Sequence, residues 1–168
     1  MDVSSLFLEF YGRIPPLAEQ AVVGLGPDEL VRTAVPGTNP IGWLVWHSAR
    51  VQDHHLSELL EAEQLWATGE WAASFGLDAD PDNTGYGHRP DDVAAVRPTG
   101  PDAVLSYLAA TQERAVQVVS GVDEASLDRI VDRSWDPPVT LGVRLVSVAD
   151  DGLQHVGQAN YLRGQLGL

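Results

Sequence analysis

Apolar residues recur every three to four positions in four long segments of the chain, and this spacing predicts four helices. The segments are residues 2–23, 40–64, 101–120 and 140–165. Asn39 is a favourable N-cap for the second segment and Pro40 a favourable first helical residue. Thr99 or Gly100 can cap the third segment, and Gly121 stops it. Residues Pro15-Pro16 interrupt the first segment, so we expect a kink or a break there.

The connection between the second and third predicted helices, residues 65–100, is much longer than the others. It is rich in Gly, Pro and Asp but also contains several aromatic residues, which favours a packed cover over a flexible linker. His88 in this connection is expected to be exposed, with a place at a functional site as the alternative. Strand signals at residues 93–96 and 130–131 are too short to build a sheet.

These elements predict an all-α four-helix bundle with a long loop between helices 2 and 3. The length of 168 residues suits a single domain spanning residues 1–168. The N-terminal residues show no basic stretch before an apolar run, so no signal peptide is expected. No stretch approaches the roughly 18 apolar residues of a membrane helix. A cytoplasmic protein without a membrane partner is the resulting expectation.

Charge and composition exclude several kinds of chemistry. The net charge of −14 argues against a nucleic-acid partner, because affinity for phosphates comes mainly from Lys and Arg. All ten basic residues are Arg, so a Schiff-base lysine or a phosphate-loop lysine cannot be present. The chain has no cysteine, which rules out disulfides and thiolate metal ligands.

The fourth segment carries two polar side chains on the face that is predicted to be buried. His155 lies in the middle of the apolar face, and Asp151 lies one turn earlier on the same side. A buried carboxylate without a partner is very costly, so these residues need each other or a bound ion. A carboxylate–imidazole hydrogen bond in the core and a pair of ligands for one cation are both open at this point.

The second segment contains three histidines, His47, His54 and His55. His47 follows Trp43-Leu44-Val45-Trp46, so it is expected to project from an apolar, aromatic wall, and His54 shares its flank. His55 falls closer to the centre of the apolar face. Imidazole is the commonest ligand of transition metals, which favours a metal site here. For His54 and His55 the alternatives are a surface residue and a hydrogen-bonded core residue.

Three stretches of the chain resemble the DinB-like superfamily. NPIGWLVWH at residues 39–47, followed by RVQDHH at 50–55, resembles the second helix of that superfamily. DGLQHVGQANYLRG at residues 151–164 resembles its fourth helix, and DNTGYGH at residues 82–88 resembles a loop of an actinobacterial branch. The similarity extends over nearly the whole chain in order and spacing.

The resemblance implies a DinB-like four-helix bundle with a divalent metal between the second and fourth helices. In that superfamily one histidine of helix 2 and an H-x-x-x-H pair of helix 4 hold the metal. His47 and His155 match two of these positions, and Asp151 stands where many members have histidine. The mycothiol-dependent maleylpyruvate isomerases are similar in having a carboxylate there, and they use zinc. The implied ligands are thus His47, Asp151 and His155, with zinc favoured and nickel, iron or manganese as alternatives.

Several polar residues near these positions are candidates to orient the ligands or to bind substrate. They are His54 and Glu58 on the flank of His47, Gln158 one turn beyond His155, and Arg163 or Arg50 for a substrate carboxylate. For each arginine, a place on the surface is the ordinary alternative.

Two imidazoles and one carboxylate leave coordination positions open, as in catalytic rather than structural zinc sites. Because the chain has no cysteine, any reacting thiol has to come from a small molecule. The resemblance implies mycothiol or bacillithiol in that role. The predicted function is a metal-dependent enzyme that uses such a thiol in the transfer or isomerisation of a small electrophilic substrate.

Two other functions stay open. One is a non-catalytic divalent-metal-binding protein, for example a stress-related module. The other is a structural homodimer in which Asp151 and His155 merely form a hydrogen bond. Metal analysis separates the homodimer from the other two functions, and thiol-dependent activity separates those two from each other.

Overall fold

The long helices of the structure, a computed structural model that describes residues 1–168, lie close to the predicted segments. In chain order the helices are α1 (Val3–Tyr11), α2 (Ile14–Val22), α3 (Pro27–Leu30), α4 (Ile41–Leu60), α5 (Leu65–Thr68), α6 (Trp71–Ser74), α7 (Pro90–Ala95), α8 (Pro101–Val119) and α9 (Leu141–Leu166). Pro40 has an extended backbone and serves as the N-cap of α4, so that helix begins one residue later than predicted.

The first predicted helix is split into two. α1 ends at Tyr11 and α2 begins at Ile14. In a continuous helix, Pro15 could not donate to the carbonyl of Tyr11, and its ring would collide with that carbonyl. Within the first turn of α2, Pro15 and Pro16 need no N–H partner. The break therefore lies just before the prolines.

α4 is the central helix of the bundle. It packs against α8 and α9, and α2 packs against α9 and α8 as well. The apolar faces meet in one core, with Ile14, Leu56, Leu108 and Val156 among its fully or almost fully buried members. The prediction of an all-α four-helix bundle is confirmed, with α1 and α2 together taking the place of the first helix. None of the helices combines the length and the apolar composition needed to cross a membrane.

The burial of α4 differs from the predicted stripe. Every residue from 41 to 50 is buried, in a helix that packs against α8 and α9 and contacts the long connection through Trp43, His47 and Arg50. In the second half the buried positions include Gln52, Asp53 and Leu56. His55 is therefore partly exposed and does not lie near the centre of the apolar face, as the pattern had indicated.

The long connection between α4 and α8 is packed onto the bundle and carries α5, α6 and α7. Arg50 of α4 holds it in place: the guanidinium donates to the main-chain oxygens of Pro81 (2.9 Å) and Asn83 (3.0 Å). It also donates to the Gln64 side chain (2.9 Å) and lies 5.0 Å from the ring centre of Trp66. Arg50 is completely buried, so neither a surface position nor a substrate-binding role applies to it.

Asp53 neutralises Arg50 from one turn further along α4. The carboxylate lies 3.3 Å from the guanidinium and accepts hydrogen bonds from the main-chain N–H groups of Leu65 and Trp66. Tyr107 of α8 donates its hydroxyl to the same carboxylate (2.8 Å). A buried charge pair with this many hydrogen bonds is satisfied within the protein, and removing one partner would cost about 3–5 kcal/mol.

A short hairpin lies between α8 and α9. β1 (Ile130–Asp132) pairs antiparallel with β2 (Val139–Thr140), with Ile130 opposite Thr140. Residues 130–131 alone are too short to indicate a strand, and they form one only because β2 offers a partner immediately before α9. The other weak strand signal, residues 93–96, forms no strand, and its first three residues lie in α7.

Candidate metal centre

α4 and α9 bring the side chains of His47, Asp151 and His155 together. One ligand atom from each of the three residues lies within 4.8 Å of the others. His47 is buried, whereas Asp151 and His155 are partly exposed. Gly152 and Val156 occupy the buried face of α9. His155 therefore lies at the edge of the core, not in its middle, and the cluster opens toward solvent on one side.

The carboxylate of Asp151 lies near both imidazoles without forming a hydrogen bond to either. Its Oδ1 is 3.7 Å from Nε2 of His47 and 3.5 Å from Nδ1 of His155. Both distances exceed those of an N–H···O hydrogen bond. Oδ2 of Asp151 is buried and has no hydrogen-bond partner. The alternative in which Asp151 and His155 satisfy each other by a core hydrogen bond is therefore absent from this structure.

Both imidazoles use one nitrogen to bind a main-chain oxygen. Nδ1 of His47 lies 2.6 Å from the carbonyl oxygen of Thr84, and Nδ1 of His155 lies 2.8 Å from that of Asp151. A carbonyl only accepts, so each Nδ1 carries the proton and each Nε2 keeps its lone pair. Metal-ligating histidines are oriented by contacts of this kind. The donor set thus fits a divalent cation.

Aromatic stacking fixes the ring of His47. Trp43, one turn earlier on α4, lies nearly parallel to it, with ring centres 4.7 Å apart and planes 17° apart. The ring of His155 meets that of His47 edge-on at the same centre distance. The imidazole of His47 is therefore held on both sides, in the aromatic wall that the sequence predicts.

Gly85 allows the long connection to contact the cluster directly. Its φ of +94° lies in the region that favours glycine, and the residue is buried. A Cβ atom at this position would lie 2.7 Å from Nδ1 of His47 and 2.9 Å from the ring of Trp46. This close approach brings the carbonyl of Thr84 onto His47. The glycine between Thr84 and Tyr86 was the only sequence signal of this contact.

His88 is partly buried behind the aromatic wall and does not face the cluster. Its Nδ1 accepts from Nε1 of Trp43 (3.1 Å), and its Nε2 donates to the side chain of Asn83 (2.8 Å). Burial lowers the pKa of His88, the nearby His47 lowers it further, and Asp92 opposes the change. His88 is thus a neutral anchor of the connection and is not the exposed residue that the sequence predicts.

An open pocket of about 520 Å³ lies beside the cluster and is lined in part by His47 and Asp151. Its other charged lining residues are Glu58, Asp82, Asp132 and Arg144. Arg144 donates to Asp132 over 2.6 Å. The sequence did not indicate Arg144, because its partner lies in the short hairpin. The pocket gives a small molecule access to the side chains of His47 and Asp151.

Comparison with known proteins gives the family of the chain. Residues 17–167 match the model of the mycothiol-S-transferase family. The chain belongs to this family. A crystal structure of a conserved protein from Enterococcus faecalis is similar to it, with a TM-score of 0.90 and 31% sequence identity. That similarity covers 100% of this chain and 99% of the other. No curated protein matches the chain. The resemblance to the DinB-like superfamily and its mycothiol-using branch is confirmed.

A second cluster, formed by His54, His55 and Glu58, lies further along α4. Here hydrogen-bond donors face the imidazole nitrogens: Nη1 of Arg144 is 3.2 Å from Nε2 of His55, and Nε2 of Gln64 is 3.1 Å from Nδ1 of His54. Burial lowers the pKa of His55 to about 4, with contributions from Arg144 and His54. The lone pairs that a cation would need are used inside this second cluster.

Four residues expected to orient the metal ligands or to bind substrate make no hydrogen bond to the side chains of His47, Asp151 or His155. His54 and Glu58 form the second cluster and make no hydrogen bond to His47, but both line the same pocket as His47. Gln158 is exposed and makes no hydrogen bond to the cluster. Arg163 donates to the main-chain oxygens of three residues at the end of α2, Gln20, Ala21 and Val23. Because the last carbonyls of a helix lack partners within it, Arg163 caps α2 and does not reach the pocket.

Proposed function

We propose that the chain is a metal-dependent thiol transferase in which His47, Asp151 and His155 hold one divalent cation, with zinc first among the candidates. The observation that carries the proposal is the buried Oδ2 of Asp151, which has no hydrogen-bond partner. A buried carboxylate oxygen is normally satisfied, and leaving it without a partner is costly. A cation between the carboxylate and the two Nε2 atoms would satisfy it.

The donor set favours a reactive site over a purely structural one. Two imidazoles and one carboxylate would leave coordination positions for a substrate or water, and His47 and Asp151 line the 520 Å³ pocket from which such a ligand could enter. When bound, a divalent cation supplies a Lewis acid that lowers the pKa of a thiol and favours its anionic form. Nitrogen and oxygen ligands of this kind also accept nickel, iron and manganese.

Membership of the mycothiol-S-transferase family supports mycothiol as the thiol, and the absence of cysteine makes an external thiol necessary. In a transfer reaction, the thiol sulfur forms a bond to an electrophilic carbon, the leaving group departs with its bonding electrons, and the thiol proton passes to solvent. Transfer is favoured over isomerisation by the family. A cytoplasmic location, where small thiols stay reduced, suits this chemistry.

The chain's own residues would prepare the site for this reaction. The carbonyl of Thr84 keeps Nδ1 of His47 protonated, so that Nε2 is available. The rings of Trp43 and Trp46 exclude water from one side of the cluster. Excluding water strengthens the electrostatic interactions within the site.

Metal binding and thiol-dependent activity test the proposal together. The untagged protein should bind close to one equivalent of zinc, and the zinc-loaded protein should accelerate the reaction of mycothiol with a reactive electrophile. Asp151→Ala should abolish both, while Asp150→Ala, a change in the exposed neighbouring residue, should preserve both. Bacillithiol and glutathione serve as comparison thiols. Metal binding without any thiol-dependent rate would instead favour a non-catalytic metal-binding protein, and no metal binding would overturn the proposal.

A further inference from the structure

Two large aromatic side chains are exposed at the same pocket. Trp135, in the hairpin turn, is 64% exposed, and Tyr86, in the long connection, is 91% exposed. Both line the 520 Å³ pocket that also reaches His47 and Asp151. Single exposed apolar residues are ordinary, whereas two aromatic rings on one concave surface are typical of ligand binding.

Both aromatic residues are held by contacts at the base of their loops. In the hairpin turn, Oδ1 of Asp132 accepts hydrogen bonds from the main-chain N–H (2.8 Å) and the hydroxyl (2.7 Å) of Ser134. Oδ2 of Asp132 accepts from Arg144, which ties the turn to α9. Tyr86 directly follows Gly85, whose tight packing on His47 fixes the chain at that point. These contacts hold the main chain beside each ring, so less backbone entropy is lost when a ligand binds.

The remaining lining residues define which ligand the two rings suit. The floor of the pocket includes Val51 and Val148, and the charged lining consists of four carboxylates and one guanidinium, which is already paired with Asp132. Even with a divalent cation bound at Asp151, Glu58 and Asp82 leave the outer part of the pocket negative. An anionic ligand would be repelled there, whereas an uncharged ring would stack on the aromatic faces.

We propose that Trp135 and Tyr86 form a stacking subsite for a planar, uncharged electrophile. The inference deepens the proposed function and rests on it, because the proposed thiol transfer is what requires the ligand to be an electrophile. Carbon atoms that accept thiols commonly belong to planar groups, such as conjugated carbonyls and activated aromatic rings. Because His47 and Asp151 line the same pocket, an electrophile stacked on these rings would lie in the pocket that reaches the cluster.

Binding of two unreactive probes tests the subsite without any catalysis. The probes are meta-dinitrobenzene, which is planar, uncharged and lacks a leaving group, and dinitrobenzoate, which adds a carboxylate to the same ring. Calorimetry is performed on the full chain with zinc and again after chelation. The subsite has no metal ligand in its walls, so dinitrobenzene should bind both with zinc and after chelation. To the chelated protein, dinitrobenzoate should bind at least about tenfold more weakly than dinitrobenzene.

Trp135→Ala and Tyr86→Ala should each weaken dinitrobenzene binding by about 5–10-fold, as expected for loss of one aromatic stacking partner. Tyr161→Ala is the matched control, because Tyr161 is 71% exposed on α9 and does not line the pocket. Unchanged affinity in both pocket variants, or equal affinity for the two probes, would overturn the subsite. Loss of zinc binding with probe binding retained would count against the metal centre alone, so the two proposals fail separately.

Discussion

The two histidine clusters of α4 contain similar residues but have different neighbours. In the candidate metal centre, His47 and His155 face main-chain carbonyls, which only accept hydrogen bonds. In the second cluster, His54 and His55 face the donor groups of Gln64 and Arg144. In the candidate metal centre each Nε2 atom keeps a lone pair that a cation could use. In the second cluster the imidazole lone pairs accept hydrogen bonds from Gln64 and Arg144.

The two clusters have similar residues, so what distinguishes them is the hydrogen-bond partner of each imidazole: a carbonyl acceptor in the first cluster and a donor group in the second. Carbonyl acceptors fix the tautomer that a metal ligand needs. Arg144 does the opposite at His55, because its positive charge also repels a cation. The carboxylates differ in the same sense: Oδ2 of Asp151 is buried without a partner, whereas Glu58 is exposed to water.

The largest expected effect separates the two carboxylates. Asp151→Asn should weaken zinc binding on the order of 100-fold or more, because it removes the only negative charge of the proposed ligand set. Glu58→Gln, the matched change in the second cluster, should alter the dissociation constant by less than about threefold. Calorimetric titration with zinc at pH 7.5 measures both. Equal losses in the two variants would show that the clusters are not distinguished by their carboxylates.

A smaller effect is expected from the loop contact that orients His47. Gly85→Ala places a Cβ atom only 2.7 Å from Nδ1 of His47 and should displace the carbonyl of Thr84, which should weaken zinc binding by about 10–100-fold. Gly87→Ala is the control: Gly87 also has a positive φ, +74°, but has open space around its Cβ position. Both changes strain the backbone similarly, by about 1–2 kcal/mol.

Only the contact of the Cβ atom with His47 separates the two glycine variants, so their zinc affinities are the measurement and their melting temperatures the check on folding. Gly87→Ala should bind zinc as the wild type does. If both variants bind zinc normally, the carbonyl of Thr84 does not orient His47 in solution.

The helices and the shared side of Asp151 and His155 could be predicted from the sequence because both depend on local spacing. Apolar periodicity gives the four segments, and the i, i+4 spacing of Asp151 and His155 predicts that they share one side of α9. The pairing of that side with His47 came from the family resemblance. Periodicity alone could not predict this pairing, because the spacing of apolar residues does not show which helices contact each other.

Contacts between distant segments could not be predicted. The pattern of α4 did not indicate that the long connection would bury Arg50. Arg163 contacts the end of α2, which lies more than a hundred residues earlier in the sequence. Arg144 was missed for the same reason, because Asp132 and His55 contact it only in the folded chain. Tertiary contacts of this kind decide whether an arginine is structural or exposed.

A smaller effect than the changes in zinc affinity is expected for the pH dependence of stability when His55 is replaced. The pKa of His55 is lowered to about 4, from an ordinary value of 6.5, mainly by burial. Between these pH values the unfolded chain binds a proton that the native chain does not, so the free energy of unfolding falls as the pH falls from 6.5 to 4. His55→Gln should remove part of this fall, on the order of 1–2 kcal/mol.

Denaturant unfolding in the presence of a chelator measures this pH effect without interference from metal release. The slope of stability against pH is compared, not its absolute value, so a general loss of stability in His55→Gln does not affect the result. An unchanged slope below pH 6.5 would mean that His55 takes up a proton in the native state as readily as in the unfolded chain.

The smallest expected effect is a gain of function in the second cluster. Arg144→Ala removes the donor from Nε2 of His55 and the positive charge beside it, which frees a lone pair next to His54 and Glu58. The cluster should then bind zinc weakly, with a dissociation constant of about 1 mM, because no carbonyl fixes its tautomers and Glu58 is exposed to water. Zinc stoichiometry at millimolar metal should rise toward two in this variant.

The double variant Arg144→Ala, His55→Gln separates this gain from nonspecific binding to an acidic protein, because it keeps the loss of charge and removes the imidazole. Its stoichiometry at millimolar zinc should return to that of the wild type. If Arg144→Ala gains no second zinc, the donor facing His55 is not what keeps a cation from this cluster, and the exposure of Glu58 becomes the better explanation. If the double variant keeps the second zinc, the gain comes from freed carboxylates such as Asp132, because a loss of positive charge favours any cation nearby.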